Sequence, residues 1–347
     1  MKPNFYAYIE DFGVITVMVP LSYKDDPSMQ FEITGPNEII PCELKSTQTL
    51  GDERQFILTF QGHVLLNEPY LVRDAAGETT PLKSGKIVRT SLFDDIFYYD
   101  GDLGAVYSKE HTTFRVWSPT AQSMTLNTYG DSPKSIPMTY KNQGIWEVTL
   151  SHDCHLLPYD FNACVNERNT SFIDPYGVAS TANGEKSVVI NPSLTYKMHH
   201  ERPAFSGIKT DAIIYEVSVR DLTYQLNTHT QSTYLGVTEP GLKTKQNHPA
   251  GLDYLKSLGV THIQLLPIFD FEGVDECSPK ESYNWGYNPS QYNVPEGSLS
   301  SNPKDPLTRI NELKEMIDQL HEAGFRVIMD VVYNHVYETE TFPFEQI

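Results

Sequence analysis

The stretch DPLTRINELKEMIDQLHEAGFRVIMDVV, Asp305–Val332, decides the fold of the C-terminal part of the chain. Ile310, Leu313, Ile317 and Leu320 recur at helical spacing and draw one buried stripe. Asp305 can cap this helix with Pro306 at its first position, and Gly324 can close it. The apolar run FRVIMDVV follows directly and reads as a strand. The order helix, glycine, strand also occurs upstream: PAGLDYLKSLG places Leu252, Leu255 and Leu258 at helical spacing, ends at Gly259 and leads into VTHIQLLP. AIIYEVSV, Ala212–Val219, precedes both units as an apolar strand with no obvious exposed face. Strands alternating with amphipathic helices imply βαβ units and a parallel sheet. The Gly-rich turn GxGxxG of a dinucleotide fold is absent, so a (β/α)8 barrel leads.

The earlier regions have a different grammar. In residues 1–95, VITVMVP (Val14–Pro20), FEIT (Phe31–Thr34), RQFILTF (Arg54–Phe60) and PYLVRD (Pro69–Asp74) are short runs separated by Gly, Pro, Asn and Asp. That spacing predicts antiparallel strands in a sandwich, serving folding or docking rather than chemistry. A second β region covers 101–200, with TFRVWSP (Thr113–Pro119), SMTLNTY (Ser123–Tyr129) and GIWEVTL (Gly144–Leu150) as its clearest strands. Trp146, Val148 and Leu150 fall on one face of the last of these. Trp117 and Trp146 both lie inside strands, which favours core burial over a sugar platform. The polar connector KMHHERPAFSG, Lys197–Gly207, leads to the third region, 208–347. The expected fold is multidomain: two N-terminal all-β sandwich-like domains, then the start of a (β/α)8 barrel with about three of its eight strands.

The 347 residues are 39% hydrophobic and 20% charged, a globular composition. Twenty-six basic against 45 acidic residues give a net charge of −19, with no basic cluster. Nucleic acid and anionic membranes need a positive face, so neither is an expected partner, and a neutral substrate or uncharged polymer fits better. Cys42, Cys154, Cys164 and Cys277 lack metal-ligand spacing and are expected to be free thiols. No run approaches the ~20 apolar residues of a membrane span, and no leader pattern opens the chain. The expected location is cytoplasmic.

Two stretches carry candidate chemistry. Asp330 sits in an otherwise apolar strand with Asn334 and His335 just beyond, and a buried carboxylate needs partners. In parallel α/β folds, functional side chains gather at the C-terminal ends of strands. YNWGYNP, Tyr283–Pro289, brings three aromatic rings, two amides, a glycine and a proline into seven residues with neither helical nor strand period, and reads as a loop.

DVVYNH (Asp330–His335) resembles the first conserved region of the α-amylase superfamily, glycoside hydrolase family 13. YNWGYNP resembles the signature of its type I pullulanases, the starch-debranching members. LGAVYSKEHTTFRVWSPTA (Leu103–Ala121) and DPYG (Asp174–Gly177) look like the family 48 carbohydrate-binding module that precedes the barrel in those enzymes. The resemblance extends from about residue 101 onward; residues 1–95 match by position alone.

This resemblance implies an activity: hydrolysis of α-1,6-glucosidic branch linkages in pullulan, glycogen or limit dextrins. Tyr287 would stack on the sugar at the cleavage point and His335 would hydrogen-bond it. Trp285 would form a wall of the groove, Tyr283 and Asn284 would support the loop, and Asp330 would orient the site without being the nucleophile. Asn334 stands where many amylases ligate calcium, but the other oxygen ligands cannot be assembled, so a structural or sugar-facing role is expected, with no metal and no cofactor. The implied chemistry is retaining, with a nucleophile and an acid/base ~5–5.5 Å apart. The family places those residues after strands four and five, beyond Ile347. Residues 208–347 also hold far fewer than the ~250 residues of a complete barrel. The expectation is therefore an N-terminal portion of a debranching enzyme, silent by itself. Glu216, Asp221, Asp270 and Glu296 could be proposed as an improvised pair, but solvated or structural roles are expected for them. Two rivals remain at this point: a non-enzymatic α-glucan-binding protein, and another family 13 enzyme such as isoamylase or a branching enzyme.

Overall fold

The structure, a computed structural model, describes residues 4–347. Its first region is a closed seven-stranded barrel, not the expected sandwich. Around the barrel the strands run Tyr6–Asp11, Val14–Pro20, Glu53–Phe60, Ile39–Leu50, Phe31–Thr34, Leu71–Asp74 and Thr79–Ser84, and the last closes on the first. The closing pair is parallel, with Ala7 opposite Leu82 and Ile9 opposite Ser84. Ile39–Leu50 explains the closure. Its first residues pair with Phe31–Thr34 and the remainder with Glu53–Phe60, with a register shift between Leu44 and Ser46. Such a bulge bends a strand, so one long strand turns the corner of the sheet. Inside pack Phe5, Ile15, Ile33, Phe56, Leu58 and Val72.

The second region is built of two sheets of five and four strands. Phe114, Val116 and Trp146 from one share a core with Leu126, Tyr159 and Phe161 from the other. Trp146 is buried, and its Nε1 donates to the Ser118 carbonyl at 3.0 Å. Trp117 is half-buried instead. It lies edge-on to Phe93 of the short helix Ser91–Phe97 and donates to the Phe97 carbonyl at 2.8 Å. In DPYG, Asp174 accepts from the Tyr159 hydroxyl at 2.6 Å and the Tyr176 N–H at 2.9 Å, and burial pushes its carboxyl up to about 6. All four cysteines are unpaired.

The connector is docked rather than loose. Asp318, buried on the long helix Pro306–Glu322, accepts the backbone N–H groups of His199 and His200 at 2.9 and 2.7 Å and the Tyr196 hydroxyl at 3.0 Å.

In the third region, strands Ile214–Val217, His262–Leu265 and Arg326–Met329 form a parallel sheet with His262–Leu265 in the middle. Helices Gly251–Ser257 and Pro306–Glu322 connect them, and each ends before a left-handed glycine, Gly259 or Gly324. Val217, Ile263 and Leu265 pack with Leu255, Met316 and Leu320 on the helix side. Each such buried side chain contributes about 1.5–3 kcal/mol. The helices cover one face of the sheet only. Ile214 on the other face is therefore exposed, unlike the expectation for AIIYEVSV, and Leu258 at the end of its helix is exposed as well. Asp305 caps the long helix through the Leu307 N–H at 3.0 Å. Asp305→Ala should lower stability by about 1 kcal/mol, measured as a shift in the urea midpoint with unchanged slope.

Candidate functional site

Strand Arg326–Met329 ends one residue before Asp330, so this carboxylate stands at the end of the strand rather than within it. Its backbone N–H still reaches the Leu265 carbonyl at 3.2 Å, which carries the parallel pairing onto Asp330. Asp330 Oδ2 accepts the Tyr287 hydroxyl at 2.7 Å. The His335 Nε2 lies 2.9 Å from the Tyr287 carbonyl oxygen, so this nitrogen carries the proton and donates. Three residues from two distant stretches thus meet at the C-terminal end of the parallel sheet. Burial, followed by the Asp330 hydrogen bond and charge, pushes the Tyr287 phenol up to about 12. Tyr287 is consequently a neutral donor at ordinary pH, with a half-buried ring.

The loop that carries Tyr287 is fixed at several points. Asn284 Nδ2 donates to the Glu272 carbonyl at 2.7 Å, while its Oδ1 accepts the Gly286 N–H at 2.9 Å. Gly286 has φ +92°, and a Cβ there would lie 2.9–3.0 Å from Pro267 and Phe271, so the turn requires glycine. Tyr283 donates to Asp221 Oδ2 at 2.6 Å. Between these anchors Trp285 is 61% exposed. Asn334 is exposed as well. The site residues expected from sequence therefore divide: Tyr287, Asp330 and His335 interlock, Tyr283 and Trp285 lie on the same loop as Tyr287, and Asn334 is an exposed residue next to His335 in the chain.

The four acids considered as an improvised pair do not form one. Glu216 is exposed and accepts from Gln264 at 3.0 Å, and Asp221 is exposed on Tyr283. Asp270 and Glu296 are buried with Glu276, one carboxylate oxygen of each lying within 4.8 Å of the others. Arg309, fully buried, meets Glu276 with both terminal nitrogens at 3.0 and 2.6 Å and lies 3.8 Å from Asp270. It also reaches Ser180 Oγ at 3.4 Å, and Glu276 accepts the Asn183 N–H at 2.7 Å. The cluster thus binds the second region to the third. Burial, then the neighbouring carboxylates, pushes Asp270 up to about 7 and Glu296 to about 8. This cluster was missed in the sequence because its members lie on separate segments. Its one local signal is an arginine beside Ile310 on the buried side of an amphipathic helix.

Three family models match in succession: the pullulanase N1-terminal domain over residues 5–89, carbohydrate-binding module 48 (isoamylase N-terminal domain) over 102–177, and the α-amylase catalytic domain over 250–346. Pullulanase from Bacillus subtilis (strain 168) is 40% identical over 350 residues, covering 100% of this chain and 48% of that protein. The crystal structure of pullulanase type I from B. subtilis str. 168 complexed with maltose superposes with a TM-score of 0.90 at 39% identity, covering 100% of this chain and 49% of the other. Pullulanase from Anoxybacillus sp. LM18-11 complexed with maltotriose gives 0.91 at 37% identity, covering 99% and 50%. The chain spans about half the length of these relatives. Identity along the whole chain, the order of the three matched models and the YNWGYNP loop seated on Asp330 agree: the chain corresponds to the N-terminal portion of the type I pullulanases, in the α-amylase superfamily.

Proposed function

We propose that this chain supplies the sugar-recognising part of a debranching glycosidase that hydrolyses α-1,6-glucosidic linkages in pullulan, glycogen or limit dextrins. The observation that carries the reading is the Tyr287–Asp330–His335 interlock at the C-terminal end of the parallel sheet. A pyranose has an apolar C–H face that an aromatic ring can cover and a hydroxyl rim that needs donors and acceptors. Tyr287 offers the ring and Trp285 an exposed wall, while Asp330 holds the Tyr287 phenol in orientation. His335 faces the same sugar with the ring nitrogen that Tyr287 does not occupy. The sheet is read as the first three strands of a (β/α)8 barrel. The two relatives crystallised with maltose and maltotriose support an α-glucan as the ligand.

The chemistry proposed for the whole enzyme is retaining, and it needs two solvent-reachable carboxyls ~5–5.5 Å apart. Asp270, Glu276 and Glu296 come that close together but are buried around Arg309, with Glu296 fully so, which does not suit a pair that must meet a sugar and water. The 347 residues by themselves should therefore bind maltotriose weakly and release no reducing ends from pullulan. Isothermal titration and a reducing-sugar assay on the purified chain check both halves. Release of maltotriose from pullulan would overturn the second. With the whole enzyme, the products from a singly branched oligosaccharide separate debranching from isoamylase-like or branching activity. A cytoplasmic location is part of the proposal, and cell fractionation tests it; among the described residues, no helix is long and apolar enough to cross a membrane.

A further inference from the structure

Asn183–Gly184 is the one Asn-Gly pair in the chain, and it stands on the seam between the second and third regions. The turn Thr181–Gly184 is closed by the Gly184 N–H, which donates to the Thr181 carbonyl at 3.1 Å. Asn183 has φ 59° and ψ 24° there, a left-handed conformation that asparagine tolerates better than most residues. Its side-chain amide is used at both ends. Nδ2 donates to Asp275 Oδ1 at 3.1 Å, and Oδ1 accepts the Glu276 N–H at 2.8 Å. Its backbone N–H donates to Glu276 Oε2 at 2.7 Å, the oxygen that also accepts from Arg309 at 2.6 Å. An ionised aspartate at this position matches only the acceptor half of that amide. Gly184 is constrained as tightly. It has φ +65°, and a Cβ would lie 2.8 Å from Gln291 Nε2 and 2.9 Å from Asp270 Oδ2, two buried side chains joined to each other at 2.6 Å. The seam therefore requires asparagine followed by glycine. That pair is also the one most prone to deamidation, because no side chain on the second residue hinders its nitrogen from reaching the asparagine amide.

We infer that Asn183 is a deamidation site gated by this seam: the closed seam protects it, and once it has reacted the seam cannot close again. In the first step the Gly184 backbone nitrogen attacks Asn183 Cγ. The N–Cγ bond forms, the Cγ–Nδ2 bond breaks, and ammonia leaves with the Gly184 amide proton. Water then opens the cyclic imide to aspartate or isoaspartate. The folded turn resists the first step from both sides. The Gly184 N–H is committed to Thr181, and the Asn183 amide is held between Asp275 and the Glu276 backbone, so ring closure waits for local opening. The product turns an oxygen, not an N–H, toward Asp275 Oδ1. Hydrogen bonds from the Cys277 N–H and then from Asn183 hold the Asp275 carboxyl below its usual range, so it is an anion at neutral pH and repels the new charge. A converted chain keeps its folded regions and loses one tie between them.

Two readouts on the 347-residue chain test the gate. The first is the rate at which Asn183 becomes acidic under native conditions, followed by mass spectrometry of proteolytic peptides. Conversion should be at least about tenfold slower in the folded chain than in a synthetic peptide of residues 178–190. Asp275→Ala releases one end of the amide and should move the rate toward that of the peptide, as should Arg309→Leu. The second readout is hydrogen exchange at the backbone amides of residues 183 and 276. Asn183→Asp makes the product directly and should quicken exchange there about five- to thirtyfold, with the N-terminal barrel unchanged. Combining Asn183→Asp with Asp275→Asn puts a donor opposite the new carboxylate, keeps an acceptor for the Cys277 N–H, and should restore slow exchange. Equal conversion in the folded chain and the peptide would overturn the gate. So would unchanged conversion in Asp275→Ala, or exchange in Asn183→Asp as slow as in the parent. If Arg309→Leu fails to fold, Asp275→Ala and the rescuing pair carry the test, because Asp275 is exposed.

Discussion

Arg309→Leu should be the most damaging single substitution in the chain, costing about 3–5 kcal/mol, because it leaves buried carboxyls without their counter-charge. Asp270, Glu276 and Glu296 share one guanidinium, so the three cannot all ionise cheaply in a dry site. Asp270 at about 7 and Glu296 at about 8 hold protons that the unfolded chain releases near pH 4. The folded state therefore binds more protons between about pH 4 and pH 8, and stability falls as pH rises through that window. In Arg309→Leu the loss should be smaller at pH 5, where the carboxyls can be neutral, than at pH 8.5. Asp270→Asn keeps an oxygen for the Ser290 and Gln291 donors while removing one charge, and should flatten the slope. Urea unfolding at the two pH values decides the matter, and equal losses for Arg309→Leu at both would count against this account. Ser180 and Asn183 reach the same cluster from the second region. Limited proteolysis between residues 180 and 210 should consequently quicken in Arg309→Leu.

Gly286→Val should be the most damaging change in the loop, at about 1–3 kcal/mol for backbone strain, with steric conflict added. The residue sits at φ +92°, which β-branched side chains avoid, and its Cβ would press on the Pro267 backbone oxygen at 3.0 Å as well as on side chains. Relief requires Gly286 to move away from Pro267, carrying Trp285 and Tyr287 with it. Melting temperature should fall, and maltotriose-dependent Trp fluorescence should vanish even where the protein remains folded. A variant that melts lower yet binds maltotriose normally would show that the loop's position does not matter for binding.

The sequence made some of these features readable and hid others, for physical reasons. The helix Pro306–Glu322 was legible because its cap, stripe and closing glycine are local signals that agree. Asp330 and His335 were legible because polar groups at the end of an apolar strand stand out. The barrel closure was not, since the strand that makes it, Ile39–Leu50, is largely exposed, contains Pro41 and shows no period-two alternation. The Arg309 cluster was hidden because Asp270, Glu276 and Glu296 converge only through tertiary structure. Tyr283 read as loop support, and the residues that hold it, Arg220 and Asp221, stand sixty-odd residues earlier in the chain where no local signal joins them to it.

The parallel closure of the N-terminal barrel has a kinetic side. Ala7 meets Leu82 only after every strand between them has found its place, so the final hydrogen bonds join the two ends of the domain. Pairings so distant along the chain are slow, typically milliseconds to seconds. A ribosome must also release Thr79–Ser84 before Tyr6–Asp11 has that neighbour, and until then one edge of the first strand stays open. Weakening this seam would therefore show first as poorer refolding yield, before any change in the finished protein.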